Sequence, residues 1–341
     1  MTKRVYILGA GASCPLGLPA MNSLTWELCN SLPTDRRTVI EQVVFEIFGC
    51  RKERGDQSPN FEELLNYLDT RSFTYLEGCG IDLSAVSRAQ AVEIVLQGLR
   101  EFIREKCRSV RSDLGPYDSF VSSLEPDATV VSFNWDVLLE LSLIKAGKSF
   151  RYLPGGAGLY ILLLKPHGSI NWFALLDREL LMIDTSTSNV DVIGSSLKYY
   201  MLYLKDPLAP VEMGSSSPLA KNAVSKVPAI VPPSSAKLLD VGGEPRDDFV
   251  DNGHRQALRE VWKEFYDRVK AAAEIVVVGY SLPGPDAASI EVLKAFRKPS
   301  KKQRVSIIDK NLNVLTRYRS IVHPGAILVG DDFKVFDWKN F

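Results

Sequence analysis

Arg4-Val5-Tyr6-Ile7-Leu8-Gly9-Ala10-Gly11-Ala12-Ser13 joins a short apolar run to a turn made of glycine, alanine and serine. A strand inside a parallel sheet carries such a run because both of its faces are covered. The glycines then let the chain turn sharply and its backbone amides approach phosphate oxygens without a Cβ in the way. Two further segments repeat the arrangement. Ala128 to Val131 precedes Ser132-Phe133-Asn134-Trp135-Asp136, and Tyr160 to Leu164 precedes Lys165-Pro166-His167-Gly168-Ser169. In an open parallel sheet the loops at the carboxyl ends of the strands converge on one crevice, so motifs far apart in sequence are expected to share a ligand there. A phosphate loop, a fixed amide and a histidine around one substrate read as a nucleotide site.

Working outward, the region from 22 to 125 reads as a mainly helical insertion after the first strand. Val92, Val95, Leu96, Leu99, Phe102, Ile103 and Cys107 recur at spacings of three and four, which places them on one helix face. Residues 55–59 and 78–80 punctuate this region as loops. The stretch 189–250, with Ser215-Ser216-Ser217-Pro218 and Pro232-Pro233-Ser234-Ser235, reads as irregular and loop-rich, without a fold of its own. The final third alternates cleanly: a helix bearing Leu258, Val261, Trp262, Phe265 and Val269, a strand at 274–278, a helix from Asp286 to Phe296, a strand at 304–308 and a helix from Asn311. Strands separated by helices indicate βαβ units. The expected architecture is α/β, a doubly wound, Rossmann-like parallel sheet forming one domain over 1–341.

Bulk properties narrow the function classes. Lys plus Arg and Asp plus Glu are equal at 41 each, so no net field attracts a polyanion, and nucleic acid is not an expected partner. Five cysteines stand at 14, 29, 50, 79 and 107 with no CxxC pair, which argues against a zinc ribbon and against a disulfide framework. Lys3-Arg4 and the apolar run before Cys14 superficially suggest a lipoprotein signal, but the run ends at Gly9, too short for a signal core. No segment approaches the ~18 apolar residues that span a bilayer. The chain is expected to be cytoplasmic and to make no membrane contact.

The candidate site residues carry alternatives. Gly9, Ala10, Gly11 and Ser13 suit a loop whose amides meet phosphate oxygens, yet the dehydrogenase fingerprint is broken at Cys14-Pro15 and lacks its acidic residue ~20 positions on. Asn134, between Phe133 and Trp135, can hydrogen-bond a sugar hydroxyl or a water, while Asp136 either joins it or caps the next helix. His167 is one of three histidines, with His254 and His323, and its place at a strand's carboxyl end suits proton transfer near neutrality. Gly279, Ser281 and Asp286 lie in a loop placed to close the crevice, with Asp286 also a helix cap. Asp309 and Asn311 follow the next strand, where an acid accepts ribose hydroxyls or merely makes a turn.

Taken in order, Gly-Ala-Gly-Ala-Ser, Phe-Asn-Trp-Asp, Lys-Pro-His-Gly-Ser-Ile-Asn-Trp and Gly-Tyr-Ser-Leu-Pro-Gly-Pro-Asp resemble the sirtuin-like domains of bacterial antiphage defence systems, from Gly9 to about Asn311. That resemblance implies NAD as substrate, no metal, and hydrolysis to nicotinamide and ADP-ribose. It implies Asn134 and His167 as catalytic residues and Gly9, Gly11 and Ser13 as the cofactor loop. It also implies control by homo-oligomerisation or by a separately encoded partner such as a hexameric ATPase. The chain departs from sirtuin deacylases at Phe133, Trp135 and Pro166 and in lacking a four-cysteine zinc module. A module that senses NAD or ADP-ribose without consuming it, or a deacylase, are the alternative readings.

Overall fold

The computed structural model describes residues 4–69, 88–154, 158–175, 190–193, 201–209, 224–230, 252–296 and 303–341. In chain order the strands are β1 (Arg4–Leu8), β2 (Thr129–Ser132), β3 (Phe150–Arg151), β4 (Ile161–Leu164), β5 (Gly168–Leu175), β6 (Val190–Ile193), β7 (Met201–Leu204), β8 (Val224–Ile230), β9 (Glu274–Val278), β10 (Arg304–Ile308) and β11 (Ile327–Gly330). Seven of them form one sheet in the order β11-β10-β9-β1-β2-β4-β3. Every neighbouring pair in it is parallel. Ile7, for example, lies opposite Val131 on one side and Val277 on the other. Strands β2, β4 and β9 are buried along their whole length, which is why they read as unbroken apolar runs.

The helices are α1 (Ala10–Ser13), α2 (Met21–Ser31), α3 (Thr34–Phe48), α4 (Phe61–Asp69), α5 (Arg88–Val110), α6 (Pro116–Ser123), α7 (Leu138–Lys145), α8 (Asn252–Ala271), α9 (Ala287–Lys294) and α10 (Leu312–Ile321). Among the described residues only helices lie between β1 and β2. On α5, Val95, Leu99, Phe102, Ile103 and Cys107 are buried and Val92 and Leu96 partly so, as their spacing predicts. Each such residue taken out of water contributes roughly 1.5–3 kcal/mol. No helix among the described residues is long and apolar enough to cross a membrane.

Two stretches differ from the sequence reading. Residues 189–250 are not uniformly irregular: β6, β7 and β8 lie there and join β5 in a four-stranded antiparallel sheet, order β6-β7-β5-β8. The short strands carry no clean alternation, and β8 holds Pro228, which an edge strand tolerates. The second is β11, a partly exposed edge strand whose apolar run Ile327-Leu328-Val329 before Gly330 the sequence reading left unassigned. Loops expected at 78–80, 215–218 and 232–235 lie outside the described residues.

The chain passes from β1 to β2 on one side and later to β9 on the other, so the loops after β1 and β9 meet at a topological switch point. The antiparallel sheet begins immediately behind the histidine loop. Gly168, first residue of β5, has φ +76°, and a Cβ there would overlap the Ala229 carbonyl of β8.

Candidate functional site

Because β10, β9, β1, β2 and β4 are consecutive and parallel, the loops leaving their carboxyl ends share one edge. Those loops carry Asp309, Gly279–Asp286, Gly9–Ser13, Phe133–Asp136 and Lys165–His167.

At the switch point the glycines serve backbone packing. Gly9 N donates to Val278 O at 3.0 Å and Gly11 N to Gly279 O at 2.9 Å. A Cβ on Gly9 would stand 2.6 Å from Gly279 O and Tyr280 Cα, and one on Gly279 would stand 2.5 Å from Ala12 N. The Gly9 and Gly11 amides, expected to meet a phosphate, are thus both engaged by β9 and its loop. Ala10 opens the short turn half-buried.

Asn134 is 6% exposed and is held by this turn. Its Nδ2 donates to Gly9 O and to Ser13 Oγ, each at 3.0 Å, which engages both amide protons. Its Oδ1 has no donor among the described residues, so it is the end able to meet a ligand. Ser13 Oγ donates its single proton to Asp136 Oδ2 at 2.7 Å, so the Tyr117 hydroxyl, 2.9 Å away, donates to it. Burial pushes the Tyr117 hydroxyl well above its ordinary pKa and keeps it a donor. Asp136 Oδ1 accepts from Leu138 N at 3.1 Å and so ties down the start of α7. Asp136 thus both joins Asn134 through Ser13 and holds the start of α7. Ser13 and Asp136 are both buried, and burial raises the carboxyl's pKa against the opposing pull of Lys165.

His167 lies one strand away, 5% exposed. Its Nε2 is 3.1 Å from Asp286 Oδ2. The same carboxylate oxygen accepts from Tyr280 OH and from Ser289 Oγ, each at 2.5 Å. Asp286 Oδ1 accepts from Ser289 N at 3.3 Å and so caps α9. Burial alone would raise the Asp286 pKa, but the charge of His167 and these donors outweigh it and hold it at about 2. Phe133, the residue before Asn134, packs on the His167 cluster: its ring stacks on Tyr280 at 4.2 Å and meets the imidazole edge-on at 5.1 Å. Trp262 of α8 stands 5.8 Å from the imidazole.

A buried cation stitches the loops together from below. Lys165 is wholly buried and donates to Asp136 O at 2.5 Å, Glu140 Oε1 at 2.8 Å and Ser169 Oγ at 2.7 Å. It thereby joins the asparagine loop, α7 and the first residues of β5.

Three expected residues stand apart from both clusters. Ser281 is exposed, and its carbonyl, with that of Leu282, accepts from Arg317 at 3.0 Å. Leu282 is buried at φ +53°, a strained conformation that this clamp helps to hold. Asp309 accepts from Asn311 N, and Asn311 caps α10 by accepting from Asn313 N, so both make the turn that was their alternative reading. Sequence reasoning missed Tyr117, Tyr280, Ser289, Lys165 and Glu140. Lys165 and Tyr280 stood inside the quoted motifs without an assigned role, and Ser289 left a signal of its own, three residues beyond a capping aspartate, where a first-turn hydroxyl meets the cap. It also missed Glu62 in the first turn of α4, a half-buried carboxyl that feels the charges of His167 and Asp286. Among the described residues no group of three or more His, Cys, Asp and Glu is gathered to hold a metal.

No protein-family model matches the sequence. No curated protein matches it either. Among solved structures it is similar to a Sir2 homologue in complex with NAD, with 14% identity over 98% of this chain and 87% of that one and a TM-score of 0.43. It is similar to a mutant Sir2 homologue with 2'-O-acetyl ADP-ribose, 14% identical over 99% and 90% with a TM-score of 0.43. It is also similar to Sir2Tm bound to a propionylated peptide, 13% identical over 99% and 89% with a TM-score of 0.37. At these scores the likeness assigns no residue and no ligand here.

Proposed function

We propose that this chain binds NAD at the carboxyl edge of the parallel sheet and hydrolyses it to nicotinamide and ADP-ribose. The observation that supports this most is the pairing of two groups on adjacent strands: a buried imidazole bonded to a carboxylate, and a buried amide whose protons are taken up so that its carbonyl oxygen is presented.

Breaking the nicotinamide–ribose bond develops positive charge on the sugar, so a site must fix the ribose and admit one water. Asn134 Oδ1 accepts a hydrogen bond from a ribose hydroxyl or from that water. His167, oriented by Asp286, takes a proton from a ribose hydroxyl or from the water. The carboxylate of Asp286 supplies negative charge near the developing cation without touching it. Its partner is His167, so the expected direct contact of Asp286 with the ligand becomes an orienting role.

The motif resemblance extends the proposal to antiphage defence by NAD depletion, with activity held back by oligomerisation or by a separately encoded partner. The test is a time course of NAD with the purified chain, alone and with candidate partners, followed by chromatography. Nicotinamide and ADP-ribose appearing together support hydrolysis. Binding of NAD with no release under any condition identifies a sensor, and release that requires an acylated peptide identifies a deacylase.

A further inference from the structure

The helical insertion brings one more titratable side chain to the catalytic edge. Glu62 lies in the first turn of α4, where Asn60 Oδ1 accepts from Glu62 N at 2.9 Å and Glu63 N at 3.4 Å and fixes the start of the helix. Thr25 Oγ1 donates to Pro59 O at 2.8 Å and ties that turn to α2. Phe61, fully buried, meets Trp135 edge-on at 6.1 Å, so this turn is packed against the asparagine loop. The Glu62 side chain is half-buried, and its carboxyl has no hydrogen-bond donor among the described residues. The charged groups facing it are His167 and Asp286 from the sheet edge and Glu63 from its own helix. Burial pushes its pKa up to about 7, with His167 pulling down and Asp286 and Glu63 pushing up. A carboxyl partly out of water, on a turn packed against the asparagine loop, within the field of His167 and Asp286 and without a structural donor, is suited to exchanging a proton near neutrality.

We infer that Glu62 is a second acid–base group of this site, taking the proton of the water that attacks ribose C1′ while His167 holds a ribose hydroxyl. This rests on the NAD-hydrolysis reading. In the step, the water oxygen bonds to C1′ and the C1′–N bond breaks. The bonding pair passes to the pyridinium ring, which leaves as neutral nicotinamide, and the water's proton passes to Glu62 and then to solvent. One NAD and one water give nicotinamide, ADP-ribose and a proton, and nothing is oxidised or reduced.

The experiment measures nicotinamide release by the full chain against pH, for the unmodified protein, Glu62→Gln and Glu62→Asp. The unmodified rate rises through pH about 7, where Glu62 ionises. Glu62→Gln lowers kcat by about 10²-fold, leaves KM for NAD nearly unchanged and loses that rise. Glu62→Asp keeps the rise and part of the rate. Because Glu62 is half-exposed, both variants are expected to melt close to the unmodified chain. A second readout needs no turnover: histidine ring signals of isotope-labelled protein, with His167 assigned by its absence in His167→Ala. In the unmodified chain the His167 signals follow the ionisation near pH 7, and in Glu62→Gln that component disappears. Glu62→Gln turning over at the unmodified rate, or with the same rise, overturns the inference while leaving hydrolysis standing. Unaltered His167 signals in Glu62→Gln also overturn it. No release by the unmodified chain overturns hydrolysis and, with it, this role for Glu62.

Discussion

The seven-stranded sheet buries β2, β4 and β9 on both faces and places the polar groups of the candidate site where its strands end, whereas the four-stranded sheet interleaves Ser169 and Asn171 with Ile170, Trp172 and Phe173 along β5 itself. Those two polar side chains are buried and serve as fasteners: Ser169 accepts from Lys165, and Asn171 donates to Tyr152 OH at 3.2 Å and to Leu204 O at 3.3 Å. The difference teaches a division of labour. The parallel sheet brings distant loops to one edge, and the antiparallel sheet anchors the histidine loop from behind, through Gly168 and the Lys165 network.

The sharpest way to break this comparison is to cut the fastener between the sheets. Lys165→Met leaves Glu140 buried without its cation, and losing one partner of a buried pair costs about 3–5 kcal/mol. Denaturant unfolding is expected to show that loss, and Lys165→Met combined with Glu140→Gln is expected to recover part of it. If the single variant is as stable as the parent, the two sheets are not joined through this residue.

At the joint itself, His167→Ala and Asn134→Ala are expected to keep the fold and lower nicotinamide release by about 10²-fold or more. Chromatography of the products checks this, and full turnover by either variant removes that residue from the mechanism.

Asp286 belongs to the parallel side alone and gives a pH signature. Its folded pKa of about 2 lies below the ordinary 3.8, so it contributes stability above pH about 4 that is lost as pH falls through about 2. That shift corresponds to about 2 kcal/mol. Unfolding measured on either side of this window should be less pH-dependent in Asp286→Asn than in the parent chain.

The smallest effect is expected far from the joint. Asp191 lies on β6 of the antiparallel sheet and accepts from Tyr203 OH at 3.3 Å. Asp191→Asn is expected to change stability by less than about 0.5 kcal/mol and nicotinamide release not at all. A large loss of activity there would show that the antiparallel sheet does more than anchor a loop.

Much of the parallel sheet was legible because double-sided burial demands continuous apolar strands, and Val5 to Leu8, Ala128 to Val131 and Glu274 to Val278 meet that demand visibly. The short strands of the antiparallel sheet gave no such pattern, because β8 carries Lys226 and Pro228 and β5 spends its polar positions on buried hydrogen bonds. The candidate site was legible as a set of loops but not as a set of partners. Gly9 and Gly11 were expected to bring the backbone close to a phosphate, and in the structure it is the backbone at Gly279 that lies close to them. The roles of Tyr280 and Phe61 gave no signal, since nothing local marks a tyrosine that holds a carboxylate or a phenylalanine that packs against a distant loop.

By itself the sequence determined where strands end and which side chains stand at those ends, because strand burial and glycine turns are local matters of periodicity and sterics. Only the tertiary structure decided that Asp286 faces His167, that Asn134 is held by Gly9 and Ser13, and that Phe61 of the insertion packs against Trp135 of the asparagine loop. Those pairings join residues more than a hundred positions apart or on separate elements, and sheet order and helix docking, which no short window of sequence encodes, bring them together.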